Sequence, residues 1–131
     1  MTQHDADPNR AVVERMVNGM LNQDLDTVGE ALAEDAVVSW PQSGETMVGR
    51  AACLMVYGNY PGGPPSYTIT RIAGSGDHFS VEGIGDYSGK KVFWTSIVDL
   101  ANGKIVRQTD YWADPFEAPA WRAQWVERGD Q

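Results

Sequence analysis

Two alternating runs joined by Asn102-Gly103 constrain this chain more than any other feature. Lys91 to Leu100 and Lys104 to Ala113 each carry the period of a β-strand. Asn-Gly between them is a favoured dipeptide for a two-residue hairpin turn, because both residues tolerate positive φ. Alternation along the second strand puts Val106, Gln108, Asp110 and Trp112 on one face, and Ile105, Arg107, Thr109 and Tyr111 on the other. Val106 and Trp112 favour burial, so the first set is expected to face inward, with Trp40 near the mouth of any cavity there. A carboxylate flanked by an amide and an indole is either a solvated edge group or an acid in a ligand cavity.

Upstream the period is helical. Asp7 offers an N-cap oxygen and Pro8 suits the first helical position. Val12, Val13, Met16, Val17, Met20 and Leu21 then form one apolar stripe. A second, shorter helix is expected to turn Leu25, Val28, Ala31 and Leu32 inward, before a short strand from Ala36 to Trp40 that stops at Pro41. Gln42 to Thr46 reads as a loop. Gly49 opens a third helix carrying Ala52, Cys53, Met55 and Val56, and Gly58 ends it. The Pro/Gly cluster from Tyr60 to Pro65 reads as a rigid connector.

Near Ser66 the period changes, and Tyr67 to Ile72 and His78 to Tyr87 add two more strands. Gly83-Ile84-Gly85 within the latter is expected to mark a bulge. Residues 1–6 are expected to lack order. Trp121 and Trp125 suggest a short amphipathic helix in a tail spanning 115–131. Helices followed by a meander of strands is an α+β order. One domain is expected, with three N-terminal helices packed on a curved, mainly antiparallel sheet that encloses a pocket.

Composition narrows the partners. A chain of 131 residues with 42% apolar content can bury one core. A net charge of −8 repels nucleic acid and anionic membranes and favours a neutral or cationic small partner; a small apolar molecule is the partner expected. No apolar run is long enough to span a bilayer, and Met1 to Asp5 does not read as a signal peptide. Cys53 is the single cysteine, which excludes an intrachain disulfide and fits a cytoplasmic protein. His4 and His78 lie too far apart for a usual zinc site, so no metal is expected, and no motif implies a cofactor.

Asp110 is the candidate acid or base. Walls such as Trp40 and Trp112 would disfavour its charged form and raise its pKa, whereas an Arg107 or Arg71 partner would make it structural. Glu82 pairs with Asp110 as a second pocket carboxylate if its face is inward, and is a solvated edge charge if outward. Trp40, Trp94 and Trp112 could wall a planar apolar ligand or simply fill the core. Gln108 joins the candidate binding set, as does Tyr60, whose hydroxyl could sit at the cavity mouth or whose ring could simply pack the turn. His78 follows the turn residues Gly76-Asp77 and reads as an exposed turn histidine. Cys53 reads as a core thiol, and Asp114 before Pro115 as a strand-exit cap.

Several pieces together resemble the SnoaL-like, polyketide-cyclase-type branch of the nuclear transport factor 2-like superfamily. They are Asp24-Leu25-Asp26, Ala33-Glu34-Asp35-Ala36-Val37, Trp40-Pro41, Val48-Gly49-Arg50-Ala51, and Gly103-Lys104-Ile105-Val106 running into Asp110-Tyr111-Trp112-Ala113-Asp114. The resemblance implies a cone-shaped α+β barrel with a deep pocket, commonly dimeric through the outer sheet face. Here that face is expected to carry Phe93, Thr95 and Ile97 beside Ile105, Arg107, Thr109 and Tyr111. The family includes polyketide cyclases, ketosteroid isomerases, epoxide hydrolases of the limonene type and dehydratases, and many members with no known reaction. Asp110 stands at a place comparable to the cyclases' pocket acid. The epoxide hydrolases' Arg-X-Asp is missing from the penultimate strand, where Ser96-Ile97-Val98-Asp99 stands, and a dehydratase histidine is missing too. Two functions remain open: an acid/base enzyme of the cyclase, isomerase or hydrolase type acting on a small apolar or cyclic carbonyl compound, or a non-catalytic ligand-binding or dimerising module.

Overall fold

Asp7 caps the first helix, its Oδ1 accepting from the amides of Asn9 and Arg10 at 3.0 and 3.3 Å. The computed structural model describes residues 7–61 and 66–129. The expectations for residues 1–6, including His4, and for the connector at 62–65 lie outside these. The order is α1 (Pro8–Leu21), α2 (Leu25–Ala31), β1 (Leu32–Trp40), β2 (Glu45–Val48), α3 (Arg50–Gly58), β3 (Ser66–Ser75), β4 (His78–Tyr87), β5 (Lys90–Ala101) and β6 (Lys104–Ala113). A short 3-10 helix, Ala120–Trp125, is the last element of the described residues and leaves Trp121 and Trp125 exposed.

Six strands form one open, curved sheet in the order β2-β1-β6-β5-β4-β3. The α+β expectation is met, with the three helices closing the space that the strands leave open. All pairings are antiparallel except that of β1 with β6, which is parallel. Asn102 and Gly103 have φ of 53° and 75°, as the hairpin turn between β5 and β6 requires. Val12, Val13, Met16 and Val17 of α1 pack with Val38, Phe79, Val81, Val98 and Ile105 in the core. Each such side chain contributes roughly 1.5–3 kcal/mol on burial. Two polar anchors hold α1 over the far edge of the sheet: Arg10 Nη1 donates to the Ile72 carbonyl at 3.1 Å, and Asn9 Nδ2 to the Gly76 carbonyl at 2.7 Å.

Four local expectations need correction. Glu45 and Thr46, read as the end of a loop, instead open the edge strand β2, which runs to Val48. Pro41, Gly44 and mostly exposed side chains hid it, and pairing with β1 creates it. In α3, Met55 and Val56 point to solvent at 66% and 37% exposure, while Cys53 is fully buried and Leu54 and Tyr57 pack on the core. In β6, Ile105 is fully buried and Val106 only half-buried. The register steps between Asp99 and Leu100, leaving Val106 unpaired as a bulge, so Ile105 takes the inward position. In β4, the expected bulge lies instead on β3 at Thr70, where the register steps between Ile69 and Arg71. Gly83 makes room for a ring: a Cβ there would sit 3.0 Å from Trp94 Cε3 and 2.9 Å from the Thr68 carbonyl oxygen.

Candidate functional site

Alternation along β6 places Gln108 and Asp110 inward, each only 4% exposed, with Trp112 half-buried on the same side. Ser96 lies directly across on β5, and Trp94 lies across from Trp112. The parallel pairing with β1, which sets Ser39 opposite Thr109, carries Trp40 to the same spot. Three donors therefore converge on one carboxylate. Ser96 Oγ donates to Asp110 Oδ1 in a very short bond. Gln108 Nε2 donates to the same oxygen at 2.9 Å, and Trp40 Nε1 donates to Oδ2, also at 2.9 Å. Among the described residues no arginine is a partner of the group.

Burial pushes the Asp110 carboxyl above the usual carboxylate range, and the bonds from Ser96, Gln108 and Trp40 pull it part of the way back. Neighbouring groups feel its charge. The Tyr57 phenol is pushed well up, first by burial and then by Asp110, and the Cys53 thiol is raised mainly by burial.

Asp110 and Gln108 close one end of a chamber whose walls are otherwise apolar. Met16 and Met20 of α1 and Tyr57 of α3 form one side; Tyr67 and Trp94 form the sheet side. Trp40, Tyr60 and Trp112 complete it, and the same three residues line a second, outer cavity with Gln42, Ser43, Glu45, Tyr87 and Val92. The two spaces thus meet at a neck of three rings. Trp40 and Trp112 stand edge to face with centroids 5.3 Å apart. The space open to a water's centre is about 40 Å³ inside and about 310 Å³ outside. At ~10–15 Å³ per water, the inner chamber holds about three waters or a group of similar size.

The neck is braced. Gln42 makes two bonds to the backbone of Trp112, Nε2 donating to the carbonyl at 2.5 Å and Oε1 accepting from the amide at 2.6 Å. The Tyr67 and Tyr87 hydroxyls lie 3.0 Å apart beside it. Burial raises both phenols, and in Tyr87 the hydrogen bond with Tyr67 offsets part of the rise. The Trp112 indole N–H lies close enough to influence the Tyr87 hydroxyl but makes no hydrogen bond of proper geometry, so it is a buried donor without a partner.

Of the residues singled out from sequence, Asp110, Gln108, Trp40, Tyr60, Trp94 and Trp112 come together here. Glu82 does not. Phe79 and Val81 take the inward positions of β4, so Glu82 lies on the outer face, ion-paired with Arg71. His78 is exposed and pairs through Nδ1 with Asp99 at 2.5 Å, also on the outer face. Asp114 makes an ion pair with Lys90 at 3.3 Å. Sequence reasoning missed Met16, Met20, Tyr57, Tyr67 and Ser96 as site residues. Met16 and Met20 carried a signal in the α1 stripe; Tyr57 followed that of α3, four residues after Cys53. Among the described residues no three His, Cys, Asp or Glu side chains group as a metal site would need, and no helix is long and apolar enough to cross a membrane.

Comparison with known proteins places this geometry among relatives. The family model for the SnoaL-like domain matches residues 13–108. An NTF-2 like protein of unknown function from Burkholderia xenovorans LB400 is 33% identical, with a TM-score of 0.86, covering 94% of this chain and 96% of that one. A protein from Kribbella flavida DSM 17836, provisionally described as a ketosteroid isomerase, is 26% identical with a TM-score of 0.87, covering 95% and 91%. An LEH-like epoxide hydrolase from M. tuberculosis shares the fold at 22% identity and a TM-score of 0.68, covering 80% and 82%. No curated relative matches significantly.

Proposed function

The chain belongs to the SnoaL-like domain family, of nuclear transport factor 2-like fold, and we propose that it binds a small, largely apolar carbonyl compound and exchanges a proton with it through Asp110. One observation carries this reading: a carboxyl group 4% exposed at the end of an apolar chamber, with burial disfavouring its charge. Oδ1 already accepts two hydrogen bonds and Oδ2 only one, so Oδ2 is the oxygen left to carry a proton. In the neutral form that proton can bond to a substrate carbonyl oxygen and polarise it. In the ionised form the same oxygen can take a proton from the carbon α to a carbonyl, with the three donors holding the charge. The Kribbella relative's provisional description as a ketosteroid isomerase supports proton transfer next to a carbonyl.

The direct test is α-hydrogen exchange. Wild-type protein is expected to accelerate deuterium uptake by butanone and cyclopentanone in D₂O, and Asp110→Asn to lose that acceleration while keeping its fold. Ketone binding without acceleration would leave the second reading, a non-catalytic binding module. That reading is favoured by the narrowness of the chamber, about 40 Å³. The proposal includes a homodimer through the outer sheet face, supported by Phe93 and Tyr111 at 38% and 43% exposure; only monomer in light scattering at micromolar concentration would exclude it. It also includes a reducing, cytoplasmic setting, which the single buried thiol of Cys53 fits.

A further inference from the structure

The inner chamber is too small for most organic molecules, whereas the outer cavity is several times larger and borders it at the three shared rings. A ligand whose reacting end reaches Asp110 must therefore leave most of its bulk outside. The chemistry of that outer space is distinct. Its described walls include the carboxylate of Glu45 and the hydroxyls of Ser43 and Tyr87, and no Lys or Arg. Lys90, on the flanking strand, is held by Asp114. An anionic group entering here meets Glu45 and a chain of net charge −8, with no cation in the described walls to compensate.

At the wall shared by the two spaces stands the Trp112 indole N–H, buried and without a hydrogen-bond partner. The Tyr87 hydroxyl is its polar neighbour, and an acceptor atom of a ligand at this wall would complete its hydrogen bonding. Trp40, the other indole of the neck, has its N–H committed to Asp110. Gln42 is occupied in bracing the Trp112 backbone, which holds the donor in place.

We propose that the outer cavity is a tail subsite. It takes the neutral or positively charged end of an elongated ligand whose small head sits against Asp110, and it excludes anionic tails such as carboxylates and phosphates. This rests on the carbonyl reading of the inner chamber and supplies the other half of the substrate.

The experiment uses butanone as the head alone and three methyl ketones with a four-methylene chain ending in trimethylammonium, methoxy or carboxylate. Dissociation constants are measured by ligand-observed NMR on wild-type protein and on Glu45→Lys, a change at an exposed strand residue. The trimethylammonium and methoxy ketones are expected to bind more tightly than butanone, and the carboxylate ketone more weakly than either. Glu45→Lys is expected to shift the cation-to-anion preference about fivefold or more toward the anion, the scale of one charge pair at contact distance in high dielectric. Butanone binding with three tails of equal affinity, or a Glu45→Lys preference identical to wild type, overturns the subsite and leaves the inner-chamber reading intact. Failure of butanone and of all three tailed ketones overturns both.

Discussion

Ser96→Ala isolates the electrostatics of the site with little steric change. Ser96 is fully buried, and its hydroxyl donates to Asp110 Oδ1. Ser96 does not line the chamber, and one hydroxyl oxygen leaves less room than the about 30 Å³ a water occupies in the liquid, so solvent should not replace the lost donor. A hydrogen bond to a charged acceptor is worth about 1.5–3 kcal/mol, against about 0.5–1.5 kcal/mol for a neutral pair. Removing it thus penalises ionised Asp110 by about 1–1.5 kcal/mol more than the neutral form, equivalent to about one pH unit.

The sign follows from linkage. Asp110 has a folded-state pKa raised by burial, so its contribution to stability is fullest below the ordinary carboxylate range and is lost as pH rises through the folded value. Ser96→Ala raises that value further. The variant should titrate about one pH unit higher than wild type by the infrared carboxyl band or Asp ¹³Cγ shift. Its destabilisation in urea should grow by about 1–1.5 kcal/mol across the titration. A destabilisation independent of pH, or a midpoint that moves down, would refute the assignment of Ser96 as a donor to a titrating Asp110.

Asp110→Asn should preserve the fold, because the Ser96 hydroxyl can rotate and the Gln108 amide can flip to suit an amide nitrogen while Trp40 still has an oxygen to donate to. Its stability-versus-pH curve should lose the decline attributed to Asp110, and a curve parallel to wild type by urea titration would place the ionisation elsewhere. Gln42→Ala removes both bonds to the Trp112 backbone. Hydrogen exchange at the Trp112 amide should accelerate roughly tenfold or more, since each bond contributes about 0.5–1.5 kcal/mol; unchanged exchange would mean the brace is unimportant. Gly83→Ala drives a methyl toward the Trp94 ring and the Thr68 carbonyl. Overpacking of this kind costs about 1–3 kcal/mol, seen as a lower melting temperature with altered Trp fluorescence, and a neutral result would show that the sheet yields there.

Local rules reach far along this chain. The Asp7-Pro8 helix start, the α1 stripe and the Asn102-Gly103 turn each follow from a few adjacent residues, and each forms as its pattern requires. The inward aim of Gln108, Asp110 and Trp112 follows in the same way from strand alternation. Val106 shows where counting fails. An unbroken hairpin register would set Thr95 opposite Asp110, and the single unpaired residue at Val106 shifts the pairing so that Ser96 stands there.

What the sequence by itself determined is the α+β order, the membership in a family rich in pockets, and an acid on the inward face of its last strand. Tertiary structure decided what that acid touches. Trp40 and Asp110 are 70 residues apart and meet only because β1 pairs with β6 in parallel. Glu82, on a strand of equally clear alternation, faces outward because Phe79 and Val81 claim the core. Periodicity says which residues share a face, since that is a property of the backbone alone. Which face is buried, and which distant side chains supply its donors, depends on a packing free energy summed over the whole domain.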